Sequence, residues 1–119
     1  MDIYAQNILD HYKHPRNYGS LPDADLRQKG INATCGDEIS VALKLSGQKI
    51  KEIRFLGRGC AISQAAISIL TEELIGQTKK DVLALSFADI KRLLGVPISE
   101  RRYKCAMLGL EAIQAALRD

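Results

Sequence analysis

The sequence predicts an α+β domain: a small antiparallel sheet of about three strands, with helices packed mainly on one of its faces. Three observations lead there. Apolar residues alternate with polar ones through residues 38–57, then take up helical spacing after Cys60 and keep it to the C-terminus. The strand-like segments form one block ahead of the helical block, without the strand–helix alternation that builds a parallel sheet. Finally, 119 residues at 46% apolar and 26% charged suffice for one continuous domain, 1–119, whose core needs no disulfides.

The elements follow in order. Residues 2–14 carry Ile3, Ile8, Leu9 and Tyr12 at helical spacing, and Pro15 ends that helix. "PRNYGSLPDAD" is a loop by its Pro, Gly, Asn and Ser content, and an edge strand follows over Leu26 to Asn32. In "EISVALKLS", Ile39, Val41, Leu43 and Leu45 alternate with Glu38, Ser40 and Lys44, the pattern of a half-buried strand. "SGQK" turns the chain, and "IKEIRFLG" returns with Ile53 and Phe55 on one face, completing an antiparallel hairpin.

"AISQAAISILTEELIG" is helix-forming and apolar on most sides, so it should be largely buried, with Gly76 as its C-terminal stop. "TKKDVLALS" and "SFADIKRLLG" read as two short helices. "SERRYKCAMLGLEAIQAALRD" forms the last, with Ala106, Leu110, Ile113 and Leu117 along one stripe.

Bulk properties remove several function classes. A net charge of +3 and six aromatic residues are too little for a nucleic-acid surface. No apolar run has the roughly 18 residues of a membrane span, and the N-terminus lacks signal-peptide features, so the expected location is the cytoplasm. Three cysteines, an odd number, argue against a disulfide framework, and no Cys-x-x-Cys pair is present.

Those cysteines carry the chemistry. Cys35 precedes a strand, Cys60 follows "GRG" at the start of the buried helix, and Cys105 falls in the first turns of the last helix. A helix N-terminus stabilises a thiolate, and Gly57 and Gly59 leave the backbone around Cys60 open to a bulky ligand. Arg101, Arg102 and Lys104 surround Cys105 with positive charge, which should lower its pKa. A lone cysteine is most often a small buried hydrophobe. Three at element boundaries, with Asp37 two residues beyond Cys35, instead form a ligand set for a soft tetrahedral centre, zinc or iron–sulfur. Their spacing does not choose between the two.

"ATCGDEI", "GRGCAISQAA", "KCAMLGLEAI" and the opening "ILDHYKHPRNYG" resemble, in the same order and over nearly the whole chain, the iron–sulfur cluster scaffold family of IscU, the NifU N-terminal domain and SufU. The resemblance implies a SufE/NifU-like α+β scaffold on which a [2Fe–2S] cluster is assembled and passed to acceptor apoproteins. It implies Cys35, Asp37, Cys60 and Cys105 as ligands, an iron donor, and sulfur delivered as persulfide by a cysteine desulfurase, with Cys105 as acceptor. It also allows a homodimer in the cluster-bound form.

Two departures qualify what the resemblance carries. IscU and NifU members usually have His before the third cysteine; Lys104 stands here, with Arg102 three residues before the cysteine, as in SufU-type members. Those bind zinc at the same ligands and relay sulfur, so a zinc-dependent sulfurtransferase is the alternative, and a structural zinc module the third reading. The gap between Cys60 and Cys105 nevertheless lacks the SufU-type insertion. "GVPISERRYKC" also lacks the Leu-Pro-Pro-Val-Lys stretch that docks a dedicated chaperone in bacterial IscU. Tyr4, His11, Tyr12 and Asn17 are expected to pack or fix loops, His14 to be exposed, and Ser63 and Gln64 to line or cap the turn after Cys60.

Overall fold

The computed structural model describes residues 3–118. Helix α1 (Ile3–Lys13) leads through a loop into strands β1 (Leu26–Asn32), β2 (Asp37–Ser46) and β3 (Lys49–Arg58). Helices α2 (Ala61–Leu74), α3 (Lys79–Leu83), α4 (Phe87–Leu94) and α5 (Glu100–Arg118) complete the domain. The strands form one antiparallel sheet in the order β1-β2-β3, so the predicted α+β class and the edge strand at 26–32 are both present.

Alternation decides which face of the sheet is covered. Ile39, Val41 and Leu43 of β2 and Ile53 and Phe55 of β3 are buried and face the helices. Each such side chain contributes about 1.5–3 kcal/mol by leaving water. A one-residue slip would turn the whole set outward, so burial fixes the register. The opposite face carries Lys29, Glu38 and Arg58, which form an ion-paired row across all three strands.

Helix α5 lies over β1 and β2, while α2 packs on β3 and on α5. Glycine makes both approaches close. A Cβ at Gly109 would stand 2.7 Å from Ile67 Cδ1, and one at Gly30 3.3 Å from Ala112 Cβ. Helix α2 is buried continuously from Ser63 to Thr71, as its all-round apolar pattern predicts. Helix α1 packs against α2 rather than against the sheet. Its Ile8 and His11 are buried, whereas Ile3, Leu9 and Tyr12 remain exposed. Residue 2, the start expected for this helix, lies outside the described residues. Asn17 fixes the following loop as expected: its amide donates to Thr71 Oγ1 and its carbonyl accepts from Arg54. Tyr4 lies against the αL glycine Gly95 that ends α4.

Candidate metal centre

One end of the sheet collects the chemistry. Residues 33–36 form the turn from β1 to β2, with Gly36 at φ +73°, and they present Cys35 to solvent. Register pairs Asn32 with Asp37 at the mouth of that turn, and both side chains are buried. Cys60 is the N-cap of α2, in extended conformation, and Cys105 is the sixth residue of α5, fully buried.

Three of the four predicted ligands cluster there, and the fourth, Cys60, adjoins them. Cys35 Sγ, an Asp37 carboxylate oxygen and Cys105 Sγ all lie within 4.8 Å of one another. Cys60 adjoins this triad through Asp37: its N–H donates to Asp37 Oδ1 at 3.0 Å, and its Sγ stands 4.0 Å from Asp37 Oδ2. Asp37 therefore holds the α2 N-terminus while facing the thiols. Gly59, at φ +152°, is needed for this geometry, because a Cβ there would collide with the Asp37 carboxylate. A tetrahedral centre with metal–sulfur bonds of about 2.3 Å separates its ligand atoms by roughly 3.8 Å. The spacing of Cys35, Asp37 and Cys105 is near that of such a centre, with Cys60 beside them, and three soft donors with one hard donor suit zinc or iron–sulfur iron.

The thiols differ in acidity. Burial raises the Cys60 pKa, but hydrogen bonds from the Ser63 backbone and hydroxyl and from Cys105 outweigh it, and the net shift is downward. Cys105 moves the other way. Burial first, then hydrogen bonding to Asp37, Cys60 and Cys35, pushes its thiol strongly up. This corrects the expectation from local charge. Arg101 and Lys104 are exposed, and position 105 lies beyond the first helical turn, where the dipole field has faded. Arg102 does reach the thiols: the Cys60 thiolate charge first, then hydrogen bonds to Cys105 and Cys60, hold its guanidinium more firmly protonated.

Two neighbours complete the surroundings. Ser63 Oγ donates to the Cys60 carbonyl at 3.0 Å and lies 3.8 Å from Cys60 Sγ. Asn32 Nδ2 stands 4.0 Å from Cys105 Sγ, a contact that sequence reasoning missed. Its signal was available: Asn32 continues the inward-facing alternation of β1, where an apolar side chain would be ordinary. Lys104 lines a groove of about 510 Å³ beside Cys35, together with Thr34, Phe87, Ile98 and Tyr103.

An α+β domain with three cysteines and one aspartate at the end of a three-stranded sheet defines a small protein with a thiol-rich candidate metal centre. Comparison with known proteins narrows that class. The family described as NifU-like N terminal domain matches residues 3–119. The zinc-dependent sulfurtransferase SufU of Bacillus subtilis is 35% identical, over 94% of this chain and 87% of that protein. The iron–sulfur cluster assembly scaffold protein IscU of Streptococcus pyogenes is 32% identical, over 98% of this chain and 83% of that protein. In fold, the N-terminal part of a NifU-like protein from Brucella abortus superposes with a TM-score of 0.79 at 22% identity, covering 98% of this chain and 92% of that one. The chain belongs to the NifU-like N-terminal domain family.

Proposed function

We propose that this protein is a scaffold for iron–sulfur cluster assembly. A [2Fe–2S] cluster is its cargo, built from iron and from sulfur delivered by a cysteine desulfurase, then released to acceptor apoproteins. The observation that carries this reading is the convergence of Cys35, Cys60 and Cys105 with a single carboxylate, Asp37, at one end of the fold. Three thiolates anchor the cluster, while the harder oxygen makes one weak corner that an acceptor thiol displaces. Asp37 also has somewhere to return, the Cys60 N–H that it already accepts from.

Sulfur enters by thiol exchange. A thiolate here attacks the terminal sulfur of the desulfurase persulfide, a new S–S bond forms, and the desulfurase thiolate leaves. Conversion of that sulfur to cluster sulfide takes two electrons from an external reductant. Cys105, buried in the free chain, is assigned as the acceptor once desulfurase docking uncovers it, with Arg102 beside it to stabilise the thiolate once formed. Replacing Cys105 with Ser abolishes sulfur acceptance, read as the mass gain of one sulfur atom, while the thermal melt stays cooperative. Collapse of the fold instead would make Cys105 a core residue.

The site operates in the cytoplasm, and a second copy covers the exposed Cys35 corner when the cluster is bound. No helix among the described residues is long and apolar enough to cross a membrane. Anaerobic reconstitution with iron, cysteine and a desulfurase tests the reading. The expected product is brown, with iron and sulfide in equal amounts. The zinc-dependent sulfurtransferase reading is favoured by Arg102 and Lys104 and by the Bacillus subtilis relative. Colourless protein that keeps one tight zinc, binds no iron and accepts persulfide establishes it instead.

A further inference from the structure

Gln64 is buried, 9% exposed, and its Nε2 is the single buried side-chain polar atom among the described residues with no hydrogen-bond partner. Such an amide costs free energy in a fold and is rarely retained without a reason. Its neighbours in α2, Ala65 and Ala66, are fully apolar and buried, so nothing local requires an amide at this position.

Its placement supplies the reason. The Gln64 N–H donates to the Cys60 carbonyl at 3.2 Å, so residue 64 sits one helical turn past the N-cap thiol, on the same face. Long side chains on a helix lean toward its N-terminus and cover the preceding turn. A carboxamide at this position has the length to reach the Cys60 sulfur. One turn further on, Ile67 packs closely over Gly109 and holds α2 against α5. Cys60 Sγ stands 3.8 Å from Ser63 Oγ and 4.0 Å from Asp37 Oδ2, with the Ser63 N–H, Cys105 and Arg102 also bearing on it. A thiolate that ligates a metal takes additional N–H donors, and such donors tune both ligand geometry and metal affinity.

Resting on the metal-site reading above, we infer that Gln64 is a positioning residue for the Cys60 sulfur: its Nε2–H donates to the Cys60 thiolate when that thiolate is a ligand. The amide is held ready at the expense of the unloaded fold.

This gives opposite signs in two measurements on one variant. Zinc is the probe, because it takes the same ligands and has no redox chemistry. Gln64→Met keeps the volume and removes the donor. Competition with a chromophoric chelator should show zinc affinity lowered about tenfold, while the melting temperature of protein stripped of metal stays level or rises. In the cobalt(II)-loaded variant the thiolate-to-cobalt absorption band shifts. Gln64→Glu, which offers a carboxylate in place of the donor, weakens zinc binding further.

On the unaltered protein, zinc loading should move the Gln64 side-chain amide proton resonance and slow its exchange. Zinc affinity within twofold of the native value, or an unmoved amide resonance, overturns the inference. Equal destabilisation of stripped and loaded Gln64→Met overturns it too, since that marks a packing role alone. Native protein that binds neither zinc nor iron instead removes the metal-site reading, and the inference with it.

Discussion

Solvent access and acidity set the three sulfurs apart: Cys35 is exposed, Cys60 half-buried with a lowered pKa, and Cys105 fully buried with a raised one. Alkylation requires an accessible thiolate. In protein stripped of metal, brief treatment with iodoacetamide at pH 8 should label Cys35 and Cys60 and leave Cys105 unmodified, as mapped by peptide mass. Denatured protein should label all three. Early labelling of Cys105 would show that the α5 turn opens readily and that its burial does not protect it. Sequence made these residues visible as candidate ligands because metal-binding side chains at element boundaries are a local pattern. It gave the wrong sign for Cys105 because acidity depends on what packs around a sulfur, not on which charges adjoin it in the chain. Asn32 and Cys105 are neighbours only through the lie of α5 across β1, which no local pattern encodes.

Helix α1 depends on a polar seam with α2. His11 Nδ1 is 2.7 Å from Ser68 Oγ, the same hydroxyl accepts the Arg16 backbone N–H at 2.8 Å, and His11 Nε2 stands 3.5 Å from Glu72. Burial first, then the Arg16 charge, holds the His11 pKa below its ordinary value. The unfolded chain therefore binds a proton before the folded one does. The seam's full contribution is present above about pH 6.5 and is lost as pH falls toward the lower folded pKa. Urea unfolding should show stability declining from pH 7.5 to 5.5, and His11→Gln should flatten that decline. An equally steep decline in the variant would place its origin elsewhere. The helix itself was legible from Ile3, Ile8, Leu9 and Tyr12, but its buried side was not. Because α1 packs on a helix at the margin of the domain instead of on the sheet, only Ile8 and His11 are covered. The sheet elements were easier to read, since strict alternation in β2 and β3 leaves one possible inward face.

At the scale of the whole molecule, the core and the site are separate constructions joined by Asp37. Helices α2 and α5 and the sheet bury a continuous apolar cluster, and the thiols lie in the β1–β2 turn, at the α2 N-cap and in the second turn of α5. Asp37 belongs to both: its Oδ1 accepts the Cys60 N–H, and its carboxylate faces the sulfurs. Replacing it with Ala therefore has two effects that part company. The Cys60 N–H loses its acceptor inside a covered site, so the protein without cargo should lose about 1–2 kcal/mol in urea unfolding. The cargo behaves differently, because three thiolates still anchor it while the carboxylate that exchanges for an incoming thiol is gone. A cluster reconstituted on Asp37→Ala should persist longer and pass more slowly to an acceptor apoprotein, followed by decay of its visible absorption. A structural role alone makes the variant lose its cluster faster in step with its stability. Slower release from a weaker fold is the pattern expected of a carboxylate placed to let the cluster go.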